Sequence, residues 1–234
     1  MVRVFVFLYN MNFHIITIFP EVLQSYFDSS ILGRAQKKKL INIKYYNPRD
    51  FVKDKHKTVD DRPFGGGAGM VMMAEPIVKA VKKAIRKKKN AKIKIVLFAP
   101  AGKLFTQKNA IEWSKKYIDV VLICGRYEGI DERIVKIIKD ELGVKVEKVS
   151  VGDFVLTGGE VPAEVVVDAV SRQIPGVLGK QSSLEEESGL GVPAYTRPAE
   201  IKTKNKTYKV PKVLLSGDHK KIEEWRLKHS LNMI

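Results

Sequence analysis

Two short glycine-bounded segments hold most of the side chains that could do chemistry. The first, Gly125-Arg126-Tyr127-Glu128-Gly129, follows the apolar run Val120-Val121-Leu122-Ile123-Cys124 and precedes a helical pattern. The second, Val151-Gly152-Asp153-Phe154-Val155-Leu156-Thr157-Gly158-Gly159-Glu160, follows another strand-like run and leads into a helix at Pro162. Loops at the carboxyl ends of parallel strands are where α/β proteins bind ligands. A glycine pair lets backbone come close to a ligand that a Cβ would hold off. The chemistry these segments suit is a cradle for a small organic ligand. Each alone could equally be a glycine-bounded turn with surface charges. Neither matches G-x-G-x-x-G after the first strand, nor G-x-x-x-x-G-K-[ST], so the phosphate grips of dinucleotide folds and Walker-type NTPases are absent.

Other reactive side chains are sparse. His14, His56, His219 and His229 have no Cys or carboxylate partners at zinc-like spacing, so no protein-bound metal is expected. The single cysteine, Cys124, ends an apolar run and reads as a small buried hydrophobe, in keeping with a reducing, cytoplasmic compartment. Residues 1–19 are apolar, yet Asn10, Asn12 and His14 interrupt them and no small-residue cleavage site follows, which argues against secretion and against a membrane.

The elements that must position the two segments alternate regularly. Strands are predicted over 13–19, 40–46, 93–98, 119–124 and 144–149. Helices are predicted after Pro20, on through Lys39, and over 75–89, 106–116, 131–140 and 162–172. This is an α/β pattern with a parallel sheet. Residues 50–73 are polar, then glycine-rich, and read as one long loop of the kind that is usually functional. From Pro175 to Pro198 periodicity disappears, as in a linker or lid. Beyond it come Val213-Leu214-Leu215, a helix start at Ser216-Gly217-Asp218 and a basic helix carrying Ile222, Trp225 and Leu227, with Trp225 expected in the core. The domains expected are an N-terminal extension (1–10) outside the fold, a main domain (11–178), a linker (179–194) and a small, mostly helical domain (195–234).

The 42 Lys+Arg against 26 Asp+Glu leave a formal charge of +16, which suits a polyanion such as nucleic acid. Runs such as Lys37-Lys38-Lys39 and Lys87-Lys88-Lys89 can also be plain solvated helix ends, so charge alone leaves both readings open.

The order of several motifs narrows the choice. Gly125 to Arg133 and Ser150 to Pro162, together with Ile18-Phe19-Pro20-Glu21, Asn47-Pro48-Arg49-Asp50-Phe51, Val59 to Met73, Asp168 to Gly179, Tyr195-Thr196-Arg197-Pro198 and Leu214-Leu215-Ser216-Gly217, closely resemble the TrmD-like tRNA (guanine-N1)-methyltransferases of the SPOUT superfamily. The resemblance runs from about Met11 to the end of the chain. It implies a deep trefoil knot in the main domain, an exception to the avoidance of threaded chains. It further implies S-adenosylmethionine held by Pro100, Gly125, Tyr127, Gly129, Val151 and Gly152, and by Phe154, Leu156, Gly158, Gly159 and Pro162. Glu128 would lie near the methionine moiety of that cofactor.

Methylating guanine N1 requires a base for its proton and a cation for the charge developing on O6. The resemblance gives the second role to Arg172. The family's catalytic aspartate falls at Glu187, in Glu185-Glu186-Glu187-Ser188, so this sequence departs from the pattern by one methylene. It also lacks the family's phenylalanine after the serine, and the segment that follows is shorter. A homodimer with active sites at the subunit interface, assistance from magnesium, and a tRNA substrate methylated at guanine 37, next to the anticodon, are implied as well. Lys202, Lys204, Lys206, Lys209, Lys212, Lys220, Lys221 and Arg226 are candidates for contacts to the tRNA backbone. The rival readings are a SPOUT methyltransferase acting on a ribose hydroxyl or another base, and a basic RNA-binding protein without catalysis.

Overall fold

Residues 10–85, 92–179 and 191–230 are described by the computed structural model, in which the chain divides into two units, Met1–Gly179 and Lys180–Ile234. Residues 1–9 of the N-terminal extension and the Lys87-Lys88-Lys89 run therefore lie outside the described residues. The first unit runs β1 (Met11–Ile16), α1 (Pro20–Phe27), α2 (Ser30–Lys37), β2 (Ile41–Tyr46), a 3-10 turn (Pro48–Phe51), β3 (Asp60–Asp61), β4 (Val71–Met72) and α3 (Ala74–Ile85). It continues with β5 (Ile93–Leu104), α4 (Gln107–Lys116), β6 (Asp119–Ile123), α5 (Arg133–Leu142), β7 (Val146–Ser150) and α6 (Glu160–Arg172).

Five strands form one sheet in the order β2-β1-β6-β5-β7, and every neighbouring pair is parallel. Side chains alternate across it. Phe13, Ile15, Val96, Phe98, Val120 and Leu122 pack on α1, α2, α4 and α6 through Leu23, Phe27, Leu32, Ala110, Trp113, Val166 and Val170. Ile16, Ile95, Leu97, Val121 and Ile123 pack on α3 and α5 through Ile77, Val81, Ile134 and Ile138. Both faces are covered, which is why these strands read as unbroken apolar runs rather than alternating ones. Local signals set the helix limits: Pro20 starts α1, a Thr106/Asn109 capping box starts α4, and Gly143 in the left-handed region ends α5.

The structure departs from the expected elements where backbone leaves its pattern. β1 stops at Ile16, short of Phe19. β5 continues past Pro100 to Leu104: pairing with β7 breaks after Phe98 and resumes at Lys103↔Val149. Gly102 permits this return, since a Cβ there would sit 2.5 Å from the Val149 nitrogen. Within the expected loop 50–73, β3 and β4 pair as a two-residue ribbon. His14 does have a carboxylate partner, far away in sequence: its Nε2 lies 2.9 Å from Asp119 Oδ1, both groups buried. Among the described residues no helix is long and apolar enough to cross a membrane.

The second unit holds β8 (Glu200–Lys202), β9 (Thr207–Lys209), α7 (Lys212–Leu215) and α8 (His219–His229). Beside the two helices, residues 200–209 form an antiparallel hairpin that the expected elements did not include. Asp218 caps α8, its side chain accepting from the Lys221 N–H at 3.2 Å. Trp225 packs edge-on to Tyr195 and stacks on His229, lining a cavity of about 800 Å³ within this unit.

Candidate active site

The two glycine segments fold as loops after β6 and β7 and meet at the start of α6. The Gly159 N–H donates to Gly125 O at 2.9 Å. A Cβ on Gly159 would lie 2.5 Å from Cys124 Cα, so only glycine lets the two loops touch. Between them opens a cavity of about 240 Å³. Of the twelve residues predicted to hold a cofactor, eleven line it: Pro100, Gly125, Tyr127, Glu128, Gly129, Val151, Phe154, Leu156, Gly158, Gly159 and Pro162. The twelfth, Gly152, is not in the lining. It frames Phe154 instead, because a Cβ there would collide with the Phe154 ring at 2.1 Å.

Residues that sequence reading did not single out complete the site. Phe98, Ala99, Arg126, Val149, Ser150, Val155 and Thr157 share the lining. Arg126 and Glu160 form a buried ion pair, Nε to Oε2 at 2.9 Å, without hydrogen-bond alignment. Thr17 Oγ1 donates to the other oxygen of Glu160 at 2.7 Å, and the Arg126 guanidinium lies over the Phe19 ring. Removing one partner of a buried pair commonly costs about 3–5 kcal/mol, because the other is left uncompensated. Arg126 is therefore a strut between the segment that follows β1, the 125–129 loop and α6. Its sequence gave no sign of this, since the partner stands 34 positions away.

The end of the glycine-rich segment, Gly69 to Met72, supports the first loop. The Glu128 N–H donates to Met70 O at 3.0 Å and the Met72 N–H to Gly129 O at 2.9 Å. Gly69, at φ +82°, leaves room for the Glu128 carboxylate, which a Cβ would meet at 2.6 Å. Tyr127 holds the left-handed region at φ +59°, a strained placement for a tyrosine that recurs in functional loops. Burial pushes the Cys124 thiol well above its usual pKa, with the Glu160 charge adding to the effect, so it stays a protonated packing group. With Arg126 engaged by Glu160, Glu128 is the lining carboxylate open to a ligand. Glycine backbone, apolar rings and one carboxylate suit a flat heteroaromatic ligand carrying positive charge.

Arg172 closes α6, half-buried, at the end opposite Pro162. Ten residues of helix separate the two, about 15 Å of rise. Arg172 is not in the cavity lining. Glu187 and its neighbours Glu185, Glu186 and Ser188 lie outside the described residues. Among the described residues no group of three or more His, Cys, Asp and Glu side chains could hold a metal ion.

Comparison with known proteins gives a consistent result. The family model described as tRNA (Guanine-1)-methyltransferase TrmD matches residues 11–233. The chain is 52% identical over 221 residues to the tRNA (guanine-N(1)-)-methyltransferase of Dictyoglomus turgidum, covering 93% of this chain and 84% of that protein. It is 49% identical over 226 residues to the protein of that name from Ruminiclostridium cellulolyticum, covering 95% and 92% of the two chains. With the Clostridioides difficile protein of that name the identity is 48% over 227 residues, covering 95% and 94%.

Proposed function

The chain belongs to the tRNA (guanine-1)-methyltransferase TrmD family and is a tRNA (guanine-N1)-methyltransferase, and we propose that it takes its methyl group from S-adenosylmethionine bound between the two glycine loops. The target we assign is N1 of guanine 37, next to the tRNA anticodon. The observation that carries the cofactor assignment is the meeting of Gly125 and Gly159 around one cavity lined by eleven of the residues read from sequence. Those residues fit the ligand. Gly158 and Gly159 let the second loop close against Arg126, Glu160, Cys124 and Gly125, where a Cβ would collide, while Tyr127, Phe154 and Leu156 offer apolar surface and Glu128 offers charge to an ammonium or sulfonium. When bound, S-adenosylmethionine supplies an electrophilic methyl group.

The remaining work falls to side chains of the chain itself. Guanine N1 carries its proton at neutral pH, so a base must remove it as the methyl arrives. Glu187 is assigned that role: glutamate has an intrinsic pKa close to that of aspartate, and one further methylene of reach. Arg172 stays charged at any working pH and is assigned the charge developing on O6. The described residues assemble no site for the magnesium that the resemblance implies, and no step is assigned to it.

A homodimer reconciles these assignments. A helix holds Arg172 about 15 Å from Pro162, so we place Arg172 and Glu187 of one copy at the cavity of the other. Val22, Val161 and Val165, all exposed on α1 and α6, offer the apolar face such a dimer needs. The contact between the loops after β6 and β7 supports a deep trefoil knot within residues 11–178. Residues 179–194 then serve as lid and 195–234 as a tRNA-binding domain, in a cytoplasmic enzyme.

The test is methyl transfer from S-adenosylmethionine to tRNA carrying or lacking guanine 37. Glu187→Gln and Arg172→Ala are each expected to lower transfer by roughly a hundredfold or more, while calorimetry still registers cofactor binding. Full activity in Glu187→Gln would remove that residue from the mechanism, and transfer to tRNA lacking guanine 37 would overturn the target.

A further inference from the structure

The β8–β9 ribbon buries nothing. All six strand residues are exposed, with Ile201 57% and Tyr208 54% accessible, although a two-stranded ribbon without a covered face is marginally stable in water. The pairing Ile201↔Tyr208 sets these two side by side on one face. The base of the ribbon is anchored: the Val210 N–H donates to Ala199 O at 2.9 Å, and both residues line the cavity that Trp225 shares. The tip is closed by Thr203, whose N–H donates to Lys206 O at 2.8 Å and whose Oγ1 accepts from the Lys206 N–H at 3.2 Å. An arm fixed at its base and turned tightly at its tip is held out into solvent.

Its charge is one-sided. Residues 200–209 carry Lys202, Lys204, Lys206 and Lys209 against Glu200 alone, and Glu200 is already paired with Lys209 at 2.8 Å. Three ammonium groups thus remain with no other carboxylate in the ribbon, and a polyanion relieves their mutual repulsion. The Lys206 ammonium lies 5.3 Å from the centre of the Tyr208 ring. The ammonium thus sits over one face of a half-exposed ring, and an aromatic ring beside cations is the combination by which proteins hold unpaired nucleotides, the ring stacking on a base and the cations meeting adjacent phosphates.

We propose that the β8–β9 ribbon is an RNA-docking arm in which Tyr208, beside Ile201, stacks on an unpaired nucleotide while Lys202, Lys204 and Lys206 neutralise adjacent phosphates. The inference rests on the tRNA-methyltransferase reading for the identity of the RNA and adds the element that grips it.

The experiment measures binding of the full chain to tRNA from roughly 50 to 200 mM salt. Each lost phosphate contact lowers the slope of log affinity against log salt by about 0.7–0.9. Lys204→Gln/Lys206→Gln is therefore expected to lower it by about 1.4–1.8, raising KM for tRNA and leaving kcat at saturating tRNA close to that of the unaltered chain. Tyr208→Ala is expected to weaken binding about fivefold or more, whereas Tyr208→Phe keeps the ring and the affinity. A matched charge change on α4, Lys108→Gln/Lys115→Gln, should leave the slope unaltered. The proposal is overturned by an unchanged slope in the ribbon variant, or by an equal loss in the α4 control. It is also overturned if Tyr208→Ala changes the solution mass but not RNA affinity, since the ribbon would then dock on another copy of the chain. Failure of the unaltered chain to methylate guanine N1 would count against the methyltransferase reading, and the binding series would still decide the ribbon.

Discussion

A methyl group on Gly159 would lie 2.5 Å from Cys124 Cα and 3.0 Å from the Gly125 nitrogen, both backbone atoms that cannot rotate away. Gly159→Ala must therefore separate the two loops that bound the cavity. Overpacking of this kind costs about 1–3 kcal/mol, so S-adenosylmethionine affinity in calorimetry is expected to fall by about tenfold. Gly179→Ala, where nothing lies within 4 Å, is the comparison and should bind as the unaltered chain does. Equal affinity in the two variants would refute the cradle. At Gly152 the obstacle is the Phe154 ring, which can turn, so alanine there should cost less. Glycine positions were legible because their requirement is local, a loop after a strand with backbone at close quarters. The Arg126–Glu160 strut was not: its partners are joined by the crossing of two loops, which no spacing records.

Elements repeat the lesson in their own terms. Strands buried on both faces and helices with caps were readable, since apolar runs and capping residues act within a few positions. Two-residue β3 and β4 were not, being shorter than any period. Lys-rich β8 and β9 hid behind polarity, because a strand with no buried face has no apolar alternation to show. How the helices sit on the sheet is testable through two phenols. Tyr26 on α1 donates to Asp168 Oδ2 on α6 at 2.5 Å, and this hydrogen bond, with burial and nearby carboxylates, pushes its pKa up to about 12. Burial first, then Asp28 and Glu164, pushes Tyr45 on β2 up to about 12. A raised phenol keeps its proton in the folded state after the unfolded chain has lost it near 10. The stabilisation is complete below about pH 10 and is lost as pH rises through 12. Tm of Tyr26→Phe/Tyr45→Phe should accordingly fall less steeply between about pH 10 and 12 than that of the unaltered chain. Parallel declines would show that neither phenol gains its proton affinity from folding.

At the scale of the whole molecule, the proposed division of labour makes one copy of the chain insufficient. The cavity lies at the start of α6 and Arg172 at its end, and the helix between them is too rigid to bring the two together. If Arg172 and Glu187 of one copy serve the cavity of another, two damaged chains can repair each other. A chain with Arg172→Ala keeps its cavity, and a chain with Gly159→Ala keeps its arginine. Paired, they build one site with both parts intact and one with neither. Subunits exchanged at equal amounts give half mixed dimers, each with one working site of two, so activity should recover to about a quarter of the unaltered level. The assay uses S-adenosylmethionine too dilute to load the Gly159→Ala cavity, so that each variant alone is nearly silent. Catalysis within one copy predicts a mixture as silent as its components. The tRNA series separates this requirement from the ribbon's: charge removed at Lys204 and Lys206 should weaken RNA binding in every dimer alike, and so alter the KM of the mixture without altering the quarter.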